Sequence, residues 1–345
     1  MPHRIKIILI GLGPIGVETC KLVLQKKSLN LLAVVDIDPA KYGKDLAKFV
    51  GSNLPRDSYA VAGKKLNIPV VNDLRFALKK YQPEVAILTS ASRLENVKDD
   101  LFECIENKVS VITSCEELLY PYITHPELTA EIDKKAKEKF VHVLGTGVNP
   151  GFIMDIVPLF FTSVCSNVKS VKAVRVVDLN KRRKPLQAKM GLGKTKSEFN
   201  QLVKKKKLGH VGLLESAQLI ADGLRINISS YKEKITPILA KNNFSTRYFK
   251  IEKGHVCGMK HTVHGFYGRQ KLVTLDLQMG VDLTQSYDKI IIDGSPKLNV
   301  TVENGVFGDT ATVAMLVNCI PSLLHADSGL LAMRNICIPN YLSPN

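Results

Sequence analysis

The sequence lacks tryptophan, C-x-x-C cysteine pairs and any long apolar run. Its seven scattered cysteines argue against a zinc knuckle or a disulfide framework and favour a reducing cytoplasm. No segment approaches the ~18 uninterrupted apolar residues that a membrane span needs, and the N-terminal residues do not form a signal-peptide pattern. No cluster of residues has metal-ligand spacing. We therefore expect a cytoplasmic protein with no metal and no membrane partner.

The charge is strongly of one sign, because 48 lysines and arginines outnumber 32 acidic residues and give a formal net charge of +16. Clustered basic residues neutralise phosphates, so a nucleic-acid partner is one interpretation. However, the basic residues are spread along the chain apart from the run 204–207, and that run has no interleaved aromatic residues to stack on bases. We favour a solvated basic surface and no nucleic-acid partner.

At 345 residues, of which 45% are hydrophobic, the chain is long enough for two domains. In its first half, short apolar runs alternate with helix-like segments, which is typical of a parallel sheet covered by helices on both faces. The apolar runs are 6–10, 31–35, 85–88, 109–113 and 141–144. The sequence therefore predicts an α/β protein with an N-terminal Rossmann-type parallel sheet.

The second half changes to strand-like runs joined by short turns, which are 171–177, 261–266, 272–281, 289–292 and 298–302. Such an order predicts an α+β C-terminal domain with a mostly antiparallel sheet. We place the domains at 1–148 and 149–345. A helix over 309–320 is expected to stop before Pro321, and packing of this helix back on the first domain is left open.

A glycine-rich turn, Gly11-Leu12-Gly13-Pro14-Ile15-Gly16, follows the first strand and opens a helix. Gly11 allows the tight turn, Gly13 lets the backbone approach a pyrophosphate, and Gly16 permits close helix packing. The helix N-terminus, which includes Pro14 and Ile15, adds N–H groups and the positive end of the helix dipole. The pattern predicts a dinucleotide-binding turn, and a purely structural turn is the alternative.

Asp36 ends the second apolar run, twenty positions after Gly16. This is the spacing expected of an acid that binds the adenosine ribose hydroxyls. A carboxylate there repels a 2′-phosphate, so the sequence favours NAD over NADP. Lys41 and Lys44 follow closely enough to reach such a phosphate, which leaves NADP open.

Ligands of an open parallel sheet bind beyond the carboxyl ends of its strands. One of these loops offers Thr89 and Ser90 to the cofactor, and the next holds Glu116 and Glu117. The spacing of Ser114 and Glu117 predicts a capping box, which leaves Glu116 to face the nicotinamide. A solvent-exposed first-turn carboxylate, favoured by the helix dipole, is the equal alternative for Glu116.

Three further side chains are candidates for the substrate pocket. Asn149 precedes Pro150, so its backbone is held extended and its amide can project into an interdomain cleft; an Asx turn is the alternative. Arg175 lies on the apolar face of a strand, where it binds a substrate carboxylate, is paired internally, or is exposed at an edge. His264 either lines the cleft or is a structural histidine.

Seven segments carry a family resemblance: 11–16, 35–41, 113–118, 145–152, 183–187, 209–216 and 308–312. Together they resemble the 2,4-diaminopentanoate dehydrogenases and the related native amine dehydrogenases, whose first domain is similar to that of dihydrodipicolinate reductases. The resemblance spans nearly the whole chain. Its middle and C-terminal segments are more specific than the glycine-rich turn.

The resemblance implies reversible NAD(P)-dependent oxidative deamination of a primary amine, either 2,4-diaminopentanoate-like or simple, to a ketone and ammonia. Glu116 is then the active-site acid that handles the amine, and Asn149, Arg175 and His264 are residues of the substrate pocket. We also expect a homodimer formed through the second sheet. The alternatives are an NAD(P)-dependent oxidoreductase of a hydroxy acid or a cyclic imine, and a non-catalytic dinucleotide-binding protein.

Overall fold

The computed structural model describes residues 3–51, 65–180, 182, 184–281, 283 and 285–344. Their backbone contacts divide the chain into two units. Unit 1 contains Met1–Gly151 and Phe307–Asn345, and unit 2 contains Phe152–Val306.

Unit 1 is built on a parallel sheet of seven described strands in the order β15-β6-β5-β4-β1-β2-β3. The strands are β1 Ile5–Ile10, β2 Leu29–Val35, β3 Val70–Val71, β4 Val85–Leu88, β5 Ser110–Thr113, β6 His142–Gly145 and β15 Gly329–Leu331. Apart from β15, this is the strand order of a Rossmann fold, and the chain order reverses between β1 and β4. A crevice therefore opens beyond the carboxyl ends of these two strands.

The helices of unit 1 are α1 Pro14–Val23, α2 Ala47–Val50, α3 Leu74–Tyr81, α4 Lys98–Glu106, α5 Pro126–Glu138 and α10 Gly308–Leu324, and 3₁₀ turns span Leu94–Asn96, Glu116–Leu119 and Met333–Asn335. Every residue of β4 and β5 is buried. Complete burial is expected of central parallel strands whose two faces are both covered, and it explains why these strands read as continuous apolar runs.

The C-terminal segment returns to unit 1. Strand β15 pairs with β6, with Gly329 beside His142, and α10 contacts α1. The predicted second domain of 149–345 therefore differs from unit 2, because this segment completes the first sheet.

Helix α10 also continues through Pro321, so the predicted stop before it is wrong. Proline in the last turn removes few helical hydrogen bonds, and the burial of Ile320 and Leu323 holds the turn in place.

Unit 2 contains a six-stranded sheet in the order β14-β13-β7-β12-β11-β8. Its strands are β7 Asn167–Asp178, β8 Ser230–Leu239, β11 Val256–Tyr267, β12 Gln270–Gly280, β13 Tyr287–Ser295 and β14 Leu298–Glu303; β9 Phe244–Ser245 and β10 Lys250–Ile251 form a separate pair, and the helices are α6 Ile156–Thr162, α7 Lys184–Lys189, α8 Lys196–Lys204 and α9 Leu213–Gly223. The sheet is mostly antiparallel, as predicted, and the exception is the parallel pair of β7 and β12.

Helices α6 and α9 pack against this sheet. Along β11 and β12, residues alternate between buried and half-exposed positions, so one face of the sheet is well covered and the other less so. Strand β8 was not predicted, because it lies at the edge of the sheet and Lys232, Glu233 and Lys234 interrupt its apolar pattern. Charged residues are common on edge strands, where they discourage pairing with other chains.

Candidate active site

The glycine-rich turn has a backbone that only glycine accommodates at two positions. Gly11 has a φ of +93°, in the region that residues with side chains rarely adopt, and its N–H donates to the carbonyl of Val35 at 2.8 Å. A Cβ atom on Gly16 would lie 2.0 Å from the carbonyl oxygen of Gly11. Helix α1 therefore reaches the end of β1 only because Gly16 has no side chain.

The space in front of α1 is open. A Cβ atom built on Gly13 would meet no described atom within 4 Å. Gly13 is the N-cap of α1, and no capping side chain bonds the first turn, which begins with Pro14. The N–H groups of the first turn and the positive end of the dipole therefore face this space, an arrangement that binds phosphates. The residues present fit the pyrophosphate of a dinucleotide.

A cleft of about 960 Å³ lies at this crevice, within the range of small-molecule sites, which is roughly 300–1,000 Å³. The residues predicted to bind the cofactor are brought together here. Gly11, Gly13, Asp36, Thr89 and Ser90 line the cleft, and Pro14, Ile15 and Gly16 form the first turn of α1.

The carboxylate of Asp36 lies at the end of β2 and is almost completely buried. Its Oδ2 accepts from the N–H of Leu12 at 2.6 Å and from Nζ of Lys41 at 3.0 Å, and its Oδ1 accepts from the N–H of Asp38 at 2.9 Å. Burial opposes ionisation of this group, but these three hydrogen bonds together hold the pKa of Asp36 below its ordinary value. Asp36 is therefore an anion that is already partly neutralised.

The two residues after β4 have different surroundings. The Thr89 hydroxyl donates to the carbonyl of Gly11 at 2.7 Å, and its N–H donates to the carbonyl of Ile10 at 2.8 Å. Thr89 thus braces the glycine-rich turn. Ser90 is exposed on the wall of the cleft, where its hydroxyl is accessible to a ligand.

Glu117 is a structural residue, although not in the predicted way. Cys115, not Ser114, is the N-cap of the turn Glu116–Leu119, and no side chain caps it, so the predicted capping box is wrong. The buried Glu117 carboxylate instead accepts from the N–H of Leu94 at 2.8 Å and from the Arg93 guanidinium at 3.3 Å. Because Leu94 follows β4 and Glu117 follows β5, this carboxylate ties two neighbouring loops together.

Glu116 is half-buried at the first position of the same turn. The turn is packed closely on β6, because a Cβ atom on Gly145 would lie 2.6 Å from the carbonyl carbon of Leu118. Glu116 is the less buried acid of this pair, and it lies at the carboxyl end of the sheet. Glu116 and the cofactor cleft therefore lie at the same edge.

Asn149 follows β6, the strand next to β5. Its Oδ1 is buried and has no hydrogen-bond partner among the described residues. Since a buried acceptor without a donor costs free energy, this oxygen is suited to a ligand N–H. The loop is held from α10, because the Thr312 hydroxyl accepts from the N–H of Val148 at 3.3 Å.

Arg175 does not present its guanidinium to a ligand, and the prediction that it binds a substrate carboxylate is wrong. Its Nη1 donates to both carboxylate oxygens of Asp288, at 2.7 and 2.8 Å, and its Nη2 donates to the carbonyl of Val306 at 2.6 Å. Both side chains are almost fully buried. Arg175 is therefore paired internally between β7 and β13, which was one of the alternatives left open.

His264 lies on the less covered face of the second sheet and is half-buried. Its Nδ1 is 3.4 Å from the Thr274 hydroxyl, and burial together with the nearby Lys271 lowers its pKa. The fully buried His261 points to the other face, where its Nε2 is 2.7 Å from Glu233. No described contact links His264 to the other candidate residues.

Among the residues that the structure describes, no group of three or more histidine, cysteine, aspartate or glutamate side chains could hold a metal ion. No helix in the described ranges has the length and apolar character needed to cross a membrane.

Comparison with known proteins identifies the family of the chain. Residues 152–344 match the family model of the 2,4-diaminopentanoate dehydrogenase C-terminal domain. The chain is 31% identical to a 2,4-diaminopentanoate dehydrogenase of Acetoanaerobium sticklandii over 99% of its own length and 95% of that protein. The chain belongs to the 2,4-diaminopentanoate dehydrogenase family. This confirms the family that the sequence motifs suggested.

Two further comparisons show another similar protein and a shared fold. An amine dehydrogenase of Streptomyces virginiae is 18% identical over 94% of this chain and 94% of that protein. The solved amine dehydrogenase of Mycobacterium smegmatis, 22% identical, has the same fold, with a TM-score of 0.84 over 99% of this chain and 98% of that chain. The predicted fold class is confirmed.

Two structural residues of this member of the diaminopentanoate dehydrogenase family were not singled out from the sequence, one at the loop before Asn149 and one within the second sheet. Thr312 holds the loop before Asn149. It lies in the segment 308–312, which the sequence analysis used only as evidence of the family resemblance. Asp288 pairs with Arg175. Its signal was present, because it alternates with Ile290 and Ile292 on the buried face of one strand.

Substitutions of two glycines in the turn are expected to have different effects. Gly16→Ala forces a methyl group against the Gly11 carbonyl, so we expect a loss of stability of about 1–3 kcal/mol or more. Gly13→Ala keeps the stability within about 1 kcal/mol but fills the space for a pyrophosphate, so nucleotide affinity falls at least tenfold. Urea unfolding and nucleotide titration measure the two effects. Wild-type stability of Gly16→Ala would contradict the close contact.

Removal of the Arg175 side chain is expected to destabilise the protein by about 3–5 kcal/mol, because it leaves the buried Asp288 carboxylate without a counter-charge. Lys172→Ala, on the same strand but half-buried, is the control and should change the stability by less than about 0.5 kcal/mol. Chemical denaturation compares the two. If Arg175→Ala is as stable as the wild type and binds substrate more weakly, Arg175 is a residue of the substrate pocket after all.

Proposed function

We propose that the chain catalyses NAD(P)-dependent oxidative deamination of a primary amine to a ketone and ammonia, and the reverse reductive amination. The observation that carries this proposal is the 31% identity to a 2,4-diaminopentanoate dehydrogenase over almost the entire length of both proteins. The glycine-rich turn after β1 and the half-buried Glu116 at the same edge of the sheet support the same reaction.

The cofactor in this proposal is a nicotinamide dinucleotide, with NAD favoured. The open space at Gly13 and the uncapped start of α1 fit its pyrophosphate, and the buried, ionised Asp36 fits the hydroxyls of the adenosine ribose. When bound, the nicotinamide ring accepts the hydride from the amine carbon. The contribution of the protein is to hold the two reacting carbons in contact.

Glu116 is the proposed general base and acid. An ammonium group has no lone pair to support the electron deficiency that develops at carbon as hydride leaves, so the amine must first lose a proton. A carboxylate at the edge of the sheet attracts the ammonium form and removes that proton. In the later steps it directs water to the resulting imine and returns a proton to the departing nitrogen.

Asn149 is the proposed second contact to the substrate. Its buried Oδ1 has no donor in the described structure, and a substrate N–H would satisfy it. Arg175 is committed to Asp288, so it does not supply the anchor that a substrate carboxylate would require. His264 stays a predicted pocket residue, and its lowered pKa favours the neutral imidazole near pH 7.

We further propose that the protein is a cytoplasmic homodimer formed through the second sheet. One face of this sheet is less covered by helices, and it carries the half-buried Tyr287 and Ile291 among polar side chains. Burial of these residues against a second copy would remove apolar surface from water. Light scattering should give a mass of about twice 38.1 kDa, and a single-chain mass contradicts the dimer.

The reaction is tested by the absorbance of the reduced nicotinamide. We expect the wild-type protein to reduce NAD with 2,4-diaminopentanoate or simple primary amines and to show no reduction with the matching hydroxy acids. Glu116→Gln should bind the cofactor normally but lose at least about 100-fold in turnover, the usual contribution of an acid–base group.

Glu95→Gln is the matched control, because this exposed glutamate pairs only with Lys98 in the described contacts; its turnover should stay within twofold of the wild type. Near-normal amine oxidation by Glu116→Gln would remove Glu116 from the mechanism. Turnover of hydroxy acids in place of amines would overturn the proposed reaction.

A further inference from the structure

Glu117 joins several elements at the carboxyl edge of the first sheet. Its Oε2 accepts from the N–H of Leu94 at 2.8 Å, and its Oε1 accepts from the Arg93 guanidinium at 3.3 Å. Its Oε2 also lies 3.4 Å from Nε2 of His125, which is the N-cap of α5. The carboxylate therefore connects the loop after β4, the turn after β5 and the start of α5.

The connection is made by the backbone of Glu117 as well as by its side chain. Its N–H donates to the carbonyl of Ser92 at 3.2 Å. Only 12% of the side chain is exposed, so water competes little for the carboxylate, and hydrogen bonds to an ionised group are about twice as strong as those between neutral groups. The turn after β5 is therefore held against the loop after β4 in one position and one orientation.

The loop that Glu117 holds is continuous with the wall of the cofactor cleft. Residues 89–91 line the cleft, and residues 92–94, which Glu117 contacts, follow them directly. Glu116 lies on the other side of this contact, because it precedes Glu117 in the same turn. A displacement of the turn relative to the loop would therefore move the proposed acid relative to the cofactor site.

Such a displacement matters for the proposed reaction, because a misplacement of about 1 Å can slow a reaction by about 100-fold. We propose that Glu117 is a positioning residue for this reaction. Its buried carboxylate holds the turn that carries Glu116 in register with the loop that lines the cofactor cleft. The proposal rests on the proposed function only in taking Glu116 as the acid–base group.

Three substitutions remove the contacts of Glu117 in steps. Arg93→Ala removes one partner, Glu117→Gln keeps an oxygen for the Leu94 N–H but loses the charge, and Glu117→Ala removes all side-chain contacts. We expect the rate constant of hydride transfer to fall by about threefold, tenfold and 100-fold in this order. The KM for the amine and the dissociation constant of NADH should stay within about threefold of the wild type, because no proposed ligand contact is lost.

The measurement is a single turnover of saturated enzyme, followed by the absorbance of the reduced nicotinamide. The amplitude reports how much enzyme is folded, whereas the rate constant does not depend on that amount. A residue that only stabilises the fold would therefore change the amplitude alone. The dependence of the rate constant on pH should persist in Glu117→Gln, because Glu116 still titrates. If Glu117→Ala does not fold, the other two variants decide.

Glu84 is the matched control, because it makes similar contacts at the opposite edge of the same sheet, just before β4. Its Oε2 accepts from the N–H of Lys6 at 2.9 Å, and its Oε1 lies 2.8 Å from Nε2 of His3. Glu84→Gln and Glu84→Ala should lower the stability, because hydrogen bonds are lost. Their rate constants of hydride transfer should stay within about twofold of the wild type, because no part of the cofactor cleft moves.

Wild-type rate constants in the Glu117 variants overturn the proposal, even if the amplitudes fall. An equal slowing in the Glu84 variants also overturns it, because any weakened contact of the sheet would then have the same effect. A pH dependence that disappears in Glu117→Gln and persists in Glu116→Gln would make Glu117 itself the acid–base group. If hydroxy acids are oxidised in place of amines, a rate constant that depends on Glu117 supports the positioning role and removes only the proposed amine reaction.

Discussion

The close approach of two backbone segments at the start of α1 is the constraint on which the rest of the site depends. Gly16 lies against the carbonyl of Gly11, and a Cβ on Gly11 would lie 2.9 Å from the backbone of Ser90. With no side chains between them, the helix, the end of β1 and the loop after β4 converge on one point. The N–H groups of the first turn are thereby aimed at the cleft. Thr89 and Asp36 both bond to this turn, so the walls of the cofactor site are fixed by the same contact.

At the carboxyl edge of the first sheet, two adjacent acids have different surroundings. Glu117 is held by Leu94 and Arg93 and ties the loops after β4 and β5. Its burial and its donors keep it from acting on a ligand. Glu116 begins the turn and is less buried. One residue of separation in a tight turn is sufficient to bury one carboxylate and leave the other half-buried. The buried acid supports the loop that carries the half-buried one.

Two ion pairs show how burial decides what a cation does. Arg175 and Asp288 are enclosed within the second sheet, with 5% and 2% of their side chains exposed. A charge so buried must keep its partner, because separation would leave the other charge unsolvated. Lys41 and Asp36 form a comparable contact at the wall of a cleft, with Lys41 more exposed. About a fifth of the Lys41 side chain therefore stays open to solvent. The net positive charge of the chain therefore does not indicate where a substrate binds.

The local patterns of the chain determined the central strands of the first sheet, the glycine-rich turn and the acid twenty residues later, because each depends on residues close in sequence. The edge strand β8 had too weak an apolar pattern to be predicted, and β15 is only three residues long. The partner of Arg175 lies 113 residues away, and the donors to Glu117 lie 23 and 24 residues before it. A pattern among neighbouring residues cannot predict contacts between residues so far apart in the sequence. Which charged groups are enclosed, and which remain open to a ligand, was decided only when the strands were brought side by side.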